Sequence, residues 1–315
     1  MLVSEAFAIA SALCIALSSM FLSELKGRVP LFQLARWQML AAFLMTGVVS
    51  LVVDGWRTVG PLEFWLLAAS GIVGIAIAGT TYFATIYAVG PRVTALLFAL
   101  TAPFALALGY LALGETINAW QGLGVAVVLG GVVLAIGVPR RFLRSGDTAP
   151  AMPVVAPATM PLSTPAAVPL KGRLWPGIAL GIITALGQAV GSLLARPAMA
   201  AGVEPFTAMA LRSGLAAIVF VVLSATPVGG GSRSPVQFGA LALAVVSAFV
   251  GTALGMSLLM AALQRGNVGI VSTLASTTPV LILPMVWIRS RERPSNAAWF
   301  GALLAIAGTA LISMR

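Results

Sequence analysis

The chain has 315 residues, of which 60% are hydrophobic and only 8% charged, with a mean hydropathy of +1.05. A soluble domain carries roughly 25% charged residues, so this composition excludes a chain that covers itself with a polar surface and predicts an all-α membrane protein. The net charge of +10 is scattered over short loops, which argues against a nucleic-acid surface.

Ten apolar stretches are long enough to cross a hydrocarbon core about 30 Å thick. In chain order they fall near 5–25, 31–53, 63–87, 93–113, 118–138, 174–195, 205–225, 237–262, 268–288 and 297–314. The first has no basic run before it and is too long for a signal-peptide core, so it is expected to remain as a true helix. Its Cys14, the only cysteine, has no disulfide partner in the chain and reads as a small core residue. Glycines inside the spans (Gly71, Gly74, Gly79; Gly122, Gly124, Gly130, Gly131) fit places where helices approach closely.

The stretches repeat. Arg36 recurs as Arg212, Gly79 as Gly255, Gly90 as Gly266, Thr101 as Thr277 and Pro103 as Pro279, each pair 176 residues apart. After a one-residue slip, Glu115 matches Glu292, Gly124 matches Gly301 and Gly131 matches Gly308. Matches at Arg, Glu, Pro and Gly carry weight because charge or backbone geometry is at stake. Five spans per copy is an odd number, so a second copy enters the bilayer upside down. The predicted fold is ten transmembrane helices in two inverted five-helix repeats, the architecture of alternating-access carriers with a site near the midplane. The first repeat covers residues 1–138, a linker 139–173, and the second repeat 174–315. The linker holds Pro150, Pro153, Pro157, Pro161, Pro165 and Pro169 and no charge between Thr148 and Leu170, the composition of a polyproline-like tether.

Charge sets the expected orientation. Twelve basic residues near span ends lie on one side (Lys26, Arg28, Arg92, Arg140, Arg141, Arg144, Lys171, Arg173, Arg233, Arg289, Arg291, Arg293) and four on the other (Arg57, Arg196, Arg265, Arg315). Cytoplasmic loops carry the excess, so the linker is expected inside and both termini outside a cell inner membrane.

Enzymatic chemistry finds little footing. The absence of histidine removes His metal sites, Ser–His and Cys–His nucleophiles and His proton relays. There is no paired-aspartate cluster and no glycine-rich loop followed by Lys-Ser/Thr. The eight acidic residues (Glu5, Glu24, Asp54, Glu63, Glu115, Asp147, Glu204, Glu292) fall at span ends or in loops, leaving no buried carboxylate of the kind a proton-driven cation exporter needs. No cofactor and no metal is expected.

The remaining intramembrane polar groups are the candidate solute-binding residues. Arg36 and Arg212 lie about two turns inside the second span of each copy. They either snorkel to the headgroups or stand at opposite mouths of one cavity, where they would favour anionic or carboxylate-bearing solutes. Gln33 and Trp37 share a helix face beside Arg36, although Trp37 also suits an interfacial anchor. Tyr82 with Thr81, and Gln188, interrupt apolar runs, and a lone glutamine can simply bond a neighbouring helix. Thr101-Ala-Pro103 and Ser276-Thr277-Thr278-Pro279 occupy the same place in each copy. Proline inside a span frees a carbonyl that hydroxyls or solute can satisfy, which makes Thr101, Ser276 and Thr277 solute candidates and Pro103 and Pro279 hinges.

A helix with an internal Arg, a Thr/Ser-x-Pro span ending at Gly114-Glu115 or Arg291-Glu292, and a Gly-rich closing helix together resemble the EamA-type family of the drug/metabolite transporter superfamily. The resemblance covers both halves. It implies a ten-helix basket with the third, fourth, eighth and ninth helices around a central cavity, and export or exchange of amino acids and related metabolites. Arg291 stands where the family pattern has glycine before the acid. The expected function is a secondary transporter of small polar metabolites, amino acids or related carboxylates, acting as a monomer with a small-molecule solute and the lipid bilayer as partners and no nucleic acid. The alternatives are an exporter of drug-like or cationic compounds and a non-transporting membrane scaffold.

Overall fold

The computed structural model describes residues 2–25, 29–89, 94, 97–136, 174–224, 237–278, 280, 281, 284, 285, 288 and 295–313. The linker at 139–173, Pro279 and the Arg291–Glu292 pair lie outside the described residues. Everything described is helix, turn or short connection, with no strand.

In the first half, α1 spans Leu2–Leu25 and α2 spans Leu31–Val52, entered through Pro30. A 3-10 turn over Gly55–Thr58 leads to α3, which opens with Pro61 at its first position, where the missing amide costs nothing. This third helix is α-helical over Pro61–Gly71, π-helical over Ile72–Ile77 and α-helical again over Ala78–Val89. Next come α4 (Thr101–Leu113) and α5 (Ala119–Ile136). The second half holds α6 (Leu174–Ala200), α7 (Pro205–Ser224) and α8, the last again in three pieces: Phe238–Ser247, a π-helical Ala248–Gly255, and Met256–Arg265. It closes with α9 (Val268–Ala275) and α10 (Asn296–Ser313). The two π-helical segments start at Ile72 and Ala248, 176 residues apart, so the repeat extends to an irregularity that no residue type announced.

Five of the described helical stretches are long and apolar enough to cross a membrane: Phe32–Val52, Pro61–Tyr82, Trp175–Ala200, Pro205–Leu223 and Phe238–Arg265. Shorter apolar helices cover Leu2–Ser18, Leu97–Leu113, Ala119–Leu134 and Asn296–Leu311. Large apolar side chains such as Trp65, Leu111, Trp175 and Phe238 point outward. That surface suits a chain solvated by lipid, because water would not tolerate so wide an apolar face.

Two expected spans are interrupted. The stretch 93–113 breaks at Leu100, and the stretch 268–288 turns at Ser276–Thr277. Proline accounts for the first break. Pro103 has no amide hydrogen to return to Ala99, so the helix restarts at Thr101 with Pro103 in its first turn, where a donor is not required. Leu100 instead donates to Leu97 O at 3.1 Å. In the other half Thr277 N donates to Leu274 O at 3.2 Å, and Val280 N to Thr277 O at 2.9 Å. Leu100 and Ser276 are again 176 apart.

The second, fourth and fifth helices of each half pack on their counterparts in the other, and the second and fifth pairs run antiparallel. In α2 and α7, Ser50 bonds Thr207 near one end and a Cβ at Gly214 would meet Phe43 Cδ2 at 2.8 Å in the middle. Toward the other end Phe32, Ala35 and Met39 cluster with Ala216 and Phe220. In α5 and α10, a Cβ at Gly131 would lie 2.6 Å from Gly301 O, and one at Gly308 2.7 Å from Gly124 O. Only a missing side chain allows backbones that close. The partner Gly130 has nothing within 4 Å, so of the two adjacent glycines Gly131 makes the contact. The first helix of each half packs on the third of the other: α1 on α8 and α6 on α3.

Candidate functional site

The α6–α3–α7 junction is where a charge is most deeply buried. Ser70 Oγ donates to Gly191 O at 2.5 Å, and a Cβ at Gly191 would stand 2.6 Å from Gly74 Cα. A Cβ at Gly71 would lie 2.8 Å from both the Cα and the carbonyl oxygen of Arg212. Glycine at these three positions lets α3 lie directly against α6 and α7 and leaves room for the guanidinium. Arg212 is 1% exposed, the bulkiest fully buried side chain described. Its Nη1 donates to Met260 Sδ at 3.1 Å, while its Nε has no hydrogen-bond partner. No carboxylate pairs with it among the described residues. A side chain at Gly74 would begin 3.3 Å from Arg212 Nη2 and 3.4 Å from Gln188 Oε1, so the guanidinium and that glutamine converge on one glycine.

The other expected site residues fall elsewhere. Arg36 is only half-buried, two to three turns along the α2–α7 pair from Arg212. Gln33 holds a buried Oε1 without a partner. Trp37 packs with Leu25, Leu34, Ala240 and Ala244 at the α1–α2–α8 junction. Tyr82 meets Phe98 edge to face with ring centres 5.6 Å apart. Neighbouring Thr81 accepts from Thr184 at 2.8 Å, one turn before Gln188 on α6. Thr101 is buried with its hydroxyl unpartnered, whereas Ser276 and Thr277 return theirs to the carbonyls of Ser272 and Leu274.

Sequence reasoning missed a second polar cluster. Ser247 Oγ is shared by Ser18 Oγ at 2.8 Å and Gln38 Nε2 at 3.2 Å, and Ser18 also bonds Ser247 O at 2.9 Å. Ser4, Ser11 and Ser18 recur every seven residues, and this spacing was the available signal for a helix seam. Ser11 and Ser257 are buried with unpartnered hydroxyls. The expectation of no buried carboxylate is corrected at Glu5. This residue is at the start of α1 as expected, yet it is 7% exposed with Oε2 lacking a partner, because α1 ends against α8 and α9 rather than in solvent.

At one end of the bundle Glu115 joins three helices. Gly114 caps α4 with φ of 64°, a conformation that favours glycine, and Glu115 N returns to Gly109 O at 3.1 Å. Glu115 Oε2 then accepts the Val268 amide at 2.6 Å, satisfying a free donor at the start of α9, and Oε1 lies 3.4 Å from Arg196 Nε. Asn267 Nδ2 to Thr116 O at 3.1 Å and Gln264 Nε2 to Val203 O at 3.0 Å tie the same end.

A two-repeat helical bundle that pairs its halves across a pseudo-twofold and holds an uncompensated guanidinium between them is a membrane carrier in class. Residues 2–137 and 175–314 match the EamA-like transporter family, and the chain belongs to that family. Its members are transporters of small solutes embedded in lipid. A crystal structure of a protein 18% identical in sequence superposes with a TM-score of 0.76 over 98% of this chain and 95% of its own, a likeness in fold. No curated protein matches the chain in sequence.

Proposed function

We propose that this transporter exports or exchanges small polar metabolites, amino acids or related carboxylates, across the inner membrane by alternating access. The observation that carries this reading is Arg212. Among the described residues this buried guanidinium has an idle donor, only a thioether for an acceptor and no anion of the kind it would ordinarily hold. A solute carboxylate supplies that anion, with Gln188 close enough to share it. Arg36, Gln33, Trp37, Tyr82, Thr101, Ser276 and Thr277 would serve the path to the site. Purified protein in liposomes should give saturable counterflow with labelled L-alanine or propionate. Flux of tetraphenylphosphonium and of neither carboxylate would replace this reading with a cation exporter, which the buried Glu5 favours as second choice.

The transport cycle we propose uses ten spans in two inverted repeats, divided at 139–173, with both termini outside. A reporter active only outside the cytoplasm should be active after Arg315 and silent within Pro150–Pro165; the reverse pattern would overturn the orientation. The helix interruptions beside Pro103 and Pro279 would let the fourth and ninth spans bend toward opposite mouths. Pro103→Ala and Pro279→Ala should then bias labelling of introduced cysteines in opposite directions, one shielding the inner mouth and the other the outer. Equal changes at both mouths would remove the hinge role.

A further inference from the structure

The acceptor that holds Arg212 is a thioether from α8, and this choice of atom has a consequence for how a solute binds. We infer that Met260 is a positioning residue that fixes the guanidinium without neutralising it, leaving the Nε–Nη2 edge as a docking fork for one solute carboxylate. The inference rests on the proposed carboxylate reading of Arg212.

Several observations bear on it. Met260 is fully buried and takes the Nη1 donor at 3.1 Å. A thioether is a weak acceptor, so the contact sets direction and leaves the charge in place. A glutamate at that spot would form a strong, permanent pair and occupy the cation before any solute arrived. On the opposite edge Nε has no partner, and position 74, where a side chain would begin 3.3 Å from Nη2, is glycine. Planar guanidinium and planar carboxylate meet best through two parallel bonds, and Nε with Nη2 is the edge left for that. The group that converges on Gly74 with the guanidinium, Gln188 Oε1, is neutral. The arrangement belongs to one half only. By the 176-residue offset, Ala84 stands where Met260 does, Val250 where Gly74 does and Ile15 where Gly191 does.

The test uses the full-length protein in liposomes, with counterflow of labelled L-alanine and propionate, and separates KM from Vmax. Met260→Glu supplies the anion internally and should raise KM by roughly 30-fold or more while Vmax stays near wild type. Met260→Leu keeps the volume and removes the acceptor, and should raise KM about three- to tenfold. Met260→Gln, which restores an acceptor oxygen, should recover most of the loss seen in the leucine variant. If the glutamate variant fails to assemble, the leucine and glutamine pair decides alone. Unchanged KM in the leucine variant, or a fall in Vmax with KM constant, would overturn the positioning role and leave the carboxylate reading standing. Wild-type protein that carries neither carboxylate would overturn that reading, and this inference with it.

Discussion

Arg36 and Arg212 are the same residue in two copies of one unit, and their surroundings differ sharply. Arg212 is fully buried beside Gly71 and Gly74, where α3 packs closely on α7 and, through Gly191, on α6. Arg36 is half-buried, and the positions that match those three glycines are Ser247, Val250 and Ile15. Sequence symmetry therefore does not make a symmetric site. A repeat can keep its charged residue in both copies while surrounding it with glycine in only one.

The largest effect should come from forcing those close-packed backbones apart. Gly191→Ile imports the bulk found at Ile15, and its Cβ alone would stand 2.6 Å from Gly74 Cα. Loss of folded protein by gel filtration is the expected result, since main chain cannot yield as a side-chain tip can, at a cost of about 3 kcal/mol or more. Gly74→Ala is gentler: its contacts, 3.0 Å to Gly191 Cα and 3.3 Å to Arg212 Nη2, should cost about 1–3 kcal/mol in thermal unfolding and reduce carboxylate flux. Free flux in Gly74→Ala would mean the guanidinium edge is not the docking surface.

Arg36→Ala should reduce flux about tenfold with normal expression, and Arg36→Lys should recover part of it because ammonium lacks the two-pronged donor. Full activity in both would make Arg36 a snorkelling residue and widen the contrast between halves. The Glu115–Arg196 pair, with side chains 13% and 18% exposed, should contribute about 1 kcal/mol or less, as partly solvated pairs do. Arg196→Gln should lower Tm slightly, Glu115→Gln should lower it more because Glu115 also accepts the Val268 amide at 2.6 Å, and the double variant should match Glu115→Gln. Gly130→Ala should fall within about 0.5 kcal/mol of wild type, in contrast to Gly131→Ala, whose Cβ would meet Ala305 N and Gly301 O at 2.6 Å.

The sequence made some of this legible and hid the rest for identifiable reasons. The duplication was readable because Arg, Glu, Pro and Gly are scarce or geometrically distinctive in so apolar a chain. The break near Pro103 followed from a missing amide hydrogen. The π-helical segments at Ile72–Ile77 and Ala248–Gly255 were not readable, since a widened turn needs no special residue and depends on what packs against it. The Ser18–Gln38–Ser247 cluster joins positions more than 200 apart, and three common polar residues predict no meeting. Glu5 was placed correctly near a helix end, but burial of that end is a property of the helices beside it. The separation of Gln33 and Trp37 from Arg212 is likewise tertiary: helical spacing tells which residues share a face and says nothing of which face meets the other half.

The most direct measurement is the counterflow KM for L-alanine and propionate in Arg212→Gln set against Arg36→Gln, in otherwise identical liposomes. Glutamine removes the charge from each arginine while keeping a polar side chain. If the buried Arg212 guanidinium is where the carboxylate docks, KM rises about 100-fold or more in Arg212→Gln and about tenfold or less in Arg36→Gln. Equal increases, or a larger one at Arg36, would contradict the account.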